Sequence, residues 1–378
     1  MSTSYKWSHA FATVICFLAA WAILFSHTAV TADDGSDAQS VWVYIAADGI
    51  RHYRMDLDDG ALSAVSETQE AKPSFLAIHP SGRFLYGAGG ELSGFSIDAS
   101  SGRLTILSKV PLGREGLCHL VVDRDGSNVL GASYGAGVVS VHRIGQGGRP
   151  GKRTARAEHK GSSVNQRRQQ APHAHSINLD ANNRFAFAAD LGIDKIVVYQ
   201  FDASHGTLDP SAERTVSLKP GAGPRHFAFH PSGRFAYVIN ELDSTIVAFR
   251  YDAAAGQLAE IETVSTLPAD FEGENSTAEV VVDPSGCFLY GSNRGHDSIA
   301  VFAVDAANGN LKFVEHASTG GSWPRNFCID PSGKFLLAAN QKSDNVVVFR
   351  IDGQTGTLTR TPHAIEAPGP ACIRFLPH

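Results

Sequence analysis

Several apolar segments of the chain begin or end with side chains that can move protons or bind anions. The segment starts carry imidazole and guanidinium groups, at His173, His175, Arg225, His226 and Arg325. The segment ends carry carboxylate, guanidinium and carboxamide groups, at Asn240, Glu241, Asn293 and Arg294. A carboxylate or an imidazole can take a proton from water, and guanidinium groups bind carboxylates, phosphates and developing oxyanions. These residue types favour hydrolysis or proton transfer on an anionic substrate, provided that the fold brings them together.

The composition indicates a folded, turn-rich chain rather than a disordered or nucleic-acid-binding one. Its 378 residues are 43% hydrophobic and include 37 Gly, and the formal net charge is -6. This hydrophobic share is enough to form a core, and the mild acidity gives no general attraction for nucleic acid. We therefore expect no nucleic-acid partner.

Residues 1–32 have the pattern of an export signal peptide. Lys6 precedes an apolar run from Phe11 to Phe25, and small residues end the segment at 30–32. This run is shorter than the ~20 residues that a membrane-spanning helix needs. We therefore expect an exported protein, periplasmic or secreted, with no membrane span after the signal is removed near Asp33. An uncleaved membrane anchor is the alternative.

Two turn patterns recur along the rest of the chain. The first is Pro-Ser-Gly preceded by His or Asp, with copies that begin at His79, His230, Asp283 and Asp330 and looser copies at Asp123 and Asp180. The second is Asp, three residues, Gly, one residue, Leu, with copies that begin at Asp56, Asp98, Asp202, Asp252, Asp305 and Asp352. Proline fixes one backbone dihedral and glycine supplies a positive φ, so both patterns predict hairpin turns. The apolar runs between them alternate with a period of two, which predicts β-strands.

The spacing of the repeats predicts the architecture. Successive copies of the first turn lie 44–57 residues apart, which is the size of a four-stranded propeller blade. The last copy stops at Pro377, and the segment 41–44 supplies its missing continuation. We therefore predict an all-β fold, a seven-bladed β-propeller of four-stranded antiparallel blades, closed by pairing of N-terminal strands with the C-terminal strand. Residues 33–378 are then a single domain, and an eight-bladed or open array is the alternative.

One segment departs from the repeat. Residues 149–170 contain seven Arg or Lys residues and a single acidic residue, Glu158. We expect an inserted, solvated surface loop here. The alternative is a mobile lid that attracts an anionic substrate.

Propeller connectivity predicts which side chains meet. The start of each first strand and the end of each second strand lie on one face of the ring, next to its axis. Counting back from the turns puts His175, Arg225 and Arg325 in register, and Glu241 and Arg294 lie at second-strand ends. We expect these groups at one mouth of the central channel, where like charges are costly to hold without a partner. The asparagines at 240 and 293 either join this site or cap turns.

These segments resemble the lactonase family of seven-bladed propellers, which includes propeller-type 6-phosphogluconolactonase and carboxy-cis,cis-muconate lactonizing enzyme. The matching pieces are Pro172–Ser176, Gly221–His226, Asn240–Leu242, Asn293-Arg294 and Pro324-Arg325. With the repeat turns, the resemblance covers nearly all of residues 41–378. It implies active-site roles for four positions, His175 or His173, Arg225, Glu241 and Arg294.

The residues and the resemblance together predict a lactone hydrolase that acts on a small anionic or sugar-acid lactone. In this hypothesis Glu241 or His175 activates water, and Arg225 and Arg294 stabilise the oxyanion. The expected substrate-binding residues are His173, His226, Arg325, Asn240 and Asn293, and His226 also orients Glu241 or acts as the acid. We expect no metal, no cofactor and a monomer. The alternatives are a muconate-type lactonizing cycloisomerase, which needs the same groups, and a non-catalytic propeller that binds a ligand or a protein.

Overall fold

The structure, a computed structural model, describes residues 40–377, and the expected export signal lies outside this range. The described residues form 29 β-strands in seven antiparallel sheets. Their helical structure is limited to one short 3-10 turn at Gln146–Gly148. Within 40–377 no helix has the length and apolarity to cross a membrane.

The first four blades, numbered along the chain, have the following strands. Blade 1 holds β1 (Ser40–Ala46), β2 (Ile50–Asp56), β3 (Leu62–Thr68) and the last strand, β29 (Cys372–Pro377). Blade 2 holds β4 (Phe75–Ile78), β5 (Phe84–Ala88), β6 (Glu91–Ile97) and β7 (Leu104–Pro111). Blade 3 holds β8 (His119–Val122), β9 (Asn128–Ser133), β10 (Val138–Ile144) and β11 (Pro150–Glu158). Blade 4 holds β12 (Ala174–Leu179), β13 (Phe185–Asp190), β14 (Lys195–Asp202), β15 (Thr207–Pro210) and β16 (Val216–Ser217).

The remaining three blades repeat the four-stranded plan. Blade 5 holds β17 (Pro224–Phe229), β18 (Phe235–Asn240), β19 (Thr245–Asp252) and β20 (Gln257–Ser265). Blade 6 holds β21 (Ser276–Val282), β22 (Phe288–Arg294), β23 (Ser298–Val304) and β24 (Leu311–Ser318). Blade 7 holds β25 (Pro324–Ile329), β26 (Phe335–Asn340), β27 (Asn345–Ile351) and β28 (Leu358–Glu366).

The ring closes through the two ends of the described chain. Strand β29 pairs antiparallel with β1, from Val41 opposite Pro377 to Ala46 opposite Cys372. The predicted seven-bladed fold and its closure are therefore confirmed. Blade 4 differs slightly from the plan, because the short strand β16 adds a fifth strand beside β14.

The basic segment at 149–170 is only partly a loop. Its first part is β11, which pairs with β10 and completes blade 3 as the outer strand. A blade without this strand would leave the edge of β10 unpaired, which is costly in a sheet. Only the residues that follow β11 connect blade 3 to blade 4 across the face of the ring.

The repeated turns are held by their own side chains. In the first pattern, the Asp283 carboxylate accepts hydrogen bonds from the backbone N–H groups of Ser285 and Phe288, at 3.0 and 2.8 Å. In the second pattern, the Asp252 carboxylate accepts from the N–H groups of residues 254 and 255. Gly256 then closes the turn with φ of 69°, a conformation that costs glycine little.

Neighbouring blades are joined by a tyrosine that recurs at the same strand position. The Tyr237 hydroxyl donates to the carbonyl oxygen of Gly309, in the next blade, at 3.1 Å. Tyr290 makes the same bond to Gly356 at 2.9 Å. Both phenols are buried, so each needs this acceptor to offset the loss of water. Since such bonds run from one blade to the next, they fix how the blades sit around the axis.

Candidate active site

A bulge at the start of the first strand turns a side chain towards the axis in blades 4, 5 and 7. In blade 4, Ala174 is opposite Asp190 and Ser176 is opposite Ala189, so His175 has no partner across the sheet. The same skip occurs at Arg225 in blade 5 and at Arg325 in blade 7. An unpaired bulge residue departs from the alternation of its strand and can be re-aimed. The three positions that counting back from the turns puts in register, His175, Arg225 and Arg325, are therefore the bulge residues of their strands.

Two of these side chains, His175 and Arg325, line a cavity of about 590 Å³ on this face of the ring, and Arg225 lies beneath it. Its polar lining includes Tyr134, Arg168, His175, Glu241, Arg294 and Arg325. The volume lies within the range of ordinary small-molecule sites. Residues that are far apart in the sequence therefore meet at one channel mouth.

The carboxylate of Glu241 is clamped by three guanidinium groups. Its Oε2 atom lies 2.9 Å from Arg225 Nε and 2.9 Å from Arg294 Nη2. Its Oε1 atom accepts a hydrogen bond from Arg168 Nη2 at 2.5 Å. Burial acts to raise the pKa of this carboxyl, but the guanidinium groups outweigh burial and hold the pKa well below its usual range. Glu241 is therefore ionised, and as a base it is weak.

The cavity carries an excess of positive charge. Three guanidinium groups line it, at Arg168, Arg294 and Arg325, and a fourth, that of Arg225, lies beneath it, whereas Glu241 supplies the one carboxylate of the lining. Burial and then the neighbouring Arg225 lower the pKa of Arg294 to about 9, so it remains protonated at neutral pH. This imbalance in a partly desolvated site favours binding of an anion.

Among the described residues that line the cavity, Arg325 is the cation without a partner. Within residues 40–377 its guanidinium has no hydrogen-bond or ion-pair partner, although it lines the cavity and is half-buried. Burial and the Arg225 charge lower the pKa of Arg325. A desolvated cation without a partner is unfavourable unless a ligand supplies the counter-charge.

His175 is neutral and lies beside the clamped carboxylate. Its Nε2 atom is 3.8 Å from Glu241 Oε2. Its Nδ1 atom is buried and has no hydrogen-bond partner among the described residues. Burial and then the Arg225 charge hold the pKa of His175 well below the usual value for histidine. The imidazole is thus in its basic form and has a free nitrogen.

A second layer of buried groups lies one residue further along the first strands. His226 Nε2 is 3.3 Å from Arg225 Nη1, and His226 Nδ1 is 2.8 Å from Glu279 Oε1. The ring of His119 packs against that of His226, with the centroids 5.3 Å apart. We call His119, His175 and His226 the channel histidines, and all three are buried. Beyond this layer the channel opens into a separate cavity of about 460 Å³.

Four of the five predicted substrate-binding residues lie outside the cavity lining, which includes only Arg325 among them. Asn240 donates to Thr245 Oγ1 at 2.8 Å, and Asn293 donates to the carbonyl oxygen of Thr266 at 2.8 Å, so both amides stabilise turns. His173 stacks on the ring of Tyr134 with the centroids 4.3 Å apart. His226 contacts Arg225 rather than Glu241, and it lies beneath the cavity. Arg225 is 2% exposed, and the lining residue with which it forms an ion pair is Glu241.

The sequence reasoning did not select Arg168 as a site residue. The loop after β11 carries it, and this loop is anchored at both ends. His159 lies 2.6 Å from Asp190 Oδ2, and the Gln169 amide donates to the carbonyl oxygen of Leu191 at 2.8 Å. The excess of basic residues in this segment was the available signal.

Trp323 is a second lining residue that the sequence reasoning did not select. Its backbone has φ of 68°, whereas the equivalent residue of blade 5 is Gly223, with φ of 67°. Arg294 lies over its ring at 5.4 Å and Lys342 at 3.2 Å. A tryptophan in a left-handed conformation is strained, and strain of this kind is concentrated at functional sites.

The segment Gly131–Gly135 matches the Gly-x-Ser-x-Gly pattern of serine hydrolases. In that motif the serine stands on a sharp turn between a strand and a helix. Here Ser133 ends β9, and the chain continues into β10, which pairs back on β9. Its hydroxyl is buried and has no partner within the described range. The fold therefore gives Ser133 no nucleophile geometry.

The fold and this polar channel mouth agree with a known family. The family model described as "Lactonase, 7-bladed beta-propeller" matches residues 43–375. The chain therefore belongs to the lactonase family of seven-bladed propellers. This confirms the resemblance and, at the level of the family, the expectation that the protein is an enzyme.

Individual relatives cover most of the chain. The sequence is 37% identical to a 6-phosphogluconolactonase of Bacillus subtilis over 337 residues, which cover 87% of this chain and 95% of the relative. It is 32% identical over 291 residues to a 6-phosphogluconolactonase of Formosa agariphila, covering 74% of this chain and 81% of that protein. The solved structure of a periplasmic gluconolactonase from Pseudomonas aeruginosa matches with a TM-score of 0.84 and 30% identity, covering 89% of this chain and 99% of that one.

Proposed function

We propose that this protein hydrolyses an anionic aldonolactone, with a 6-phosphogluconolactone-like compound as the substrate class. One observation carries the proposal: a neutral imidazole with an unpartnered nitrogen lies beside an arginine-clamped carboxylate in a cavity with excess positive charge. Lactone hydrolysis needs an activated water, a cationic site for the oxyanion and a proton for the leaving alkoxide. The names of the relatives are consistent with this substrate class.

His175 is the general base of this proposal, in preference to Glu241. The carboxylate is surrounded by donors that hold its proton affinity down, whereas the imidazole is unprotonated and has a free nitrogen. The Arg225 charge is one cause of the low pKa of His175, so an anionic substrate offsets that charge and raises the pKa towards neutrality. A base is most effective when its pKa lies near the working pH.

The remaining groups divide into substrate contacts and supports. Arg294 and Arg325 line the cavity, so they can hold the oxyanion and the substrate's phosphate or carboxylate. Glu241 faces His175 and orients its ring, while Arg225 fixes Glu241 from beneath. After attack, the imidazolium of His175 returns its proton to the ring oxygen that leaves. No covalent enzyme intermediate is needed.

Turnover by the purified protein tests this function. The wild type is expected to hydrolyse 6-phosphogluconolactone faster than the buffer blank at the same pH, because lactones also open spontaneously. His175→Asn is expected to lower kcat by about 10²–10⁴-fold, the usual contribution of a general base. Turnover of a muconate-type diacid without lactone hydrolysis would instead support the cycloisomerase, and binding without turnover would support a non-catalytic propeller.

We also propose that the protein acts outside the cytoplasm. The sequence of residues 1–32 has the order of a signal peptide, and one structural relative is described as periplasmic. Fractionation of the producing cell tests this, with N-terminal sequencing of the mature protein. A mature chain that begins at Met1 and remains with the cytoplasmic fraction contradicts it.

A further inference from the structure

A chain of buried hydrogen bonds beneath the cavity has its direction set by the backbone. The N–H group of Ile373 donates to Asn326 Oδ1 at 2.8 Å, which turns the amide nitrogen of Asn326 towards Glu279 Oε2. The N–H group of Val280 donates to Glu279 Oε1 at 3.1 Å. Glu279 therefore faces donors at both oxygens. Burial raises the pKa of this carboxyl, opposed by the charges of Arg374 and Arg225, and the donors at its two oxygens stabilise the ionised form, which only accepts.

This carboxylate determines the tautomer of His226. Because an ionised Glu279 only accepts, the proton of the neutral His226 ring is placed on Nδ1, at 2.8 Å from Oε1. The other nitrogen, Nε2, is then an acceptor in the neutral ring. It faces Arg225 Nη1 at 3.3 Å, and a guanidinium can only donate. Both contacts of His226 thus join a donor to an acceptor, and the opposite tautomer would set two donors against each other.

The end of the chain fixes the guanidinium of Arg225. Its Nη1 group donates to His226 and to the carbonyl oxygen of Ala278, at 3.3 and 2.5 Å. Its Nε atom then lies 2.9 Å from Glu241 Oε2. Arg225 lies beneath the cavity and does not line it. Its orientation therefore reaches the reaction only through the carboxylate of Glu241.

We propose that Glu279 and His226 are positioning residues that aim Arg225 at Glu241, and so fix the carboxylate that orients His175. This inference rests on the proposed lactonase function of the same cavity. It differs from the expectation that His226 binds substrate or acts as an acid, because both of its nitrogens are occupied by protein groups. A positioning role affects the transition state through geometry and leaves the substrate-binding cations in place.

Two substitutions of His226 separate the two ends of its ring. His226→Asn keeps a donor near Glu279 but leaves Arg225 without its acceptor. His226→Gln places a carbonyl oxygen where Nε2 was, so it can still accept from Arg225. We expect His226→Asn to lower kcat by about 10–100-fold with KM little changed, as for outer-shell partners of catalytic groups, and His226→Gln to recover most of this loss.

His119→Asn is the matched control, since His119 is a buried histidine of the same layer that packs on His226. A role in packing alone predicts that His119→Asn and His226→Asn lower kcat equally and that His226→Gln gives no recovery. Either result, in variants that retain the wild-type thermal transition, overturns the proposal. An increase in KM without a fall in kcat also overturns it, because it indicates direct substrate binding.

A readout that does not depend on turnover separates this inference from the proposed function. Nitrogen-15 NMR of the histidine-labelled protein, with His226 assigned from the variant, reports which ring nitrogen carries the proton. We expect the proton on Nδ1, and a change in the Arg225 Nε–H resonance in His226→Asn but not in His119→Asn. A proton on Nε2 overturns the inference for any substrate. Absence of lactone turnover in the wild type, with the expected NMR result, refutes only the proposed function.

Discussion

Replacing Arg325 by methionine is expected to separate recognition of a substrate phosphate from the hydrolytic step. The guanidinium lines the cavity and makes no hydrogen bond or ion pair with the described residues. Its loss therefore breaks no hydrogen bond or ion pair among the described residues, while methionine retains the apolar part of the stem. A charge-assisted hydrogen bond contributes about 1.5–3 kcal/mol, which converts to an increase in KM of about 10- to 140-fold at 1.4 kcal/mol per tenfold.

The assay compares two lactones on the same protein. KM for 6-phosphogluconolactone is expected to rise by that factor in Arg325→Met, and KM for gluconolactone, which lacks the phosphate, is expected to change by less than about threefold. The midpoint temperature of thermal unfolding should stay the same or rise, because the substitution removes repulsion between Arg325 and Arg225. Lys342→Met is the control, since Lys342 lies on Trp323 outside the lining and also removes one positive charge.

Two outcomes would refute the reasoning about Arg325. Equal increases in KM for both lactones would indicate that Arg325 contacts the ring oxygens or the oxyanion rather than the phosphate. A similar increase in KM in Lys342→Met would indicate general electrostatic attraction instead of a direct contact. A lowered thermal transition would show that Arg325 has a partner within the protein.

Three further changes test other features of the site. Arg168→Met should lower kcat/KM by about tenfold, whereas the exposed neighbour Arg167→Met should not; equal effects would contradict a specific contact with Glu241. Trp323→Gly should unfold at a higher temperature than Trp323→Ala, because only glycine relieves the left-handed strain of about 1 kcal/mol. Both substitutions should raise KM. Equal melting temperatures for the two variants would argue against strain. As the pH is lowered from ~6.5, the free energy of unfolding should decrease by about 1.4 kcal/mol per pH unit for each channel histidine. The reason is that the unfolded chain binds protons that the folded one excludes. Urea titrations at several pH values measure this free energy. It should depend less steeply on pH in His175→Asn, which lacks one of the three histidines.

The repeats explain why so much of the architecture could be predicted. Each turn pattern combines residues that restrict the backbone locally, and alternation of apolar residues marks the strands between the turns. Ring closure followed because the last copy stops where the segment from 41 onwards continues it. These signals are local or periodic, so they need no knowledge of tertiary contacts.

From the sequence, the site could be assigned to one face of the ring, but the contacts of its individual side chains could not be predicted. Asn240 and Glu241 are adjacent, yet the first bonds to a turn and the second reaches the cavity. Sequence places both at the same strand end, and only the packed backbone decides which one points to the axis. Arg168 lies in a segment outside the repeat, so no register predicts its position. Glu279 lies within a bulge of β21, where it has no partner across the sheet, so its register does not determine where its side chain points.

The sequence by itself determined that the chain is a ring of seven sheets and that cations, imidazoles and a carboxylate occupy one of its faces. It could do so because turn chemistry and strand alternation are properties of neighbouring residues. Only the tertiary structure decided which of these groups touch, which are supports and which remain unpaired. The reason is that pKa values, tautomers and ion pairs depend on desolvation and on distances of a few ångströms between residues from different blades, and no local pattern encodes these.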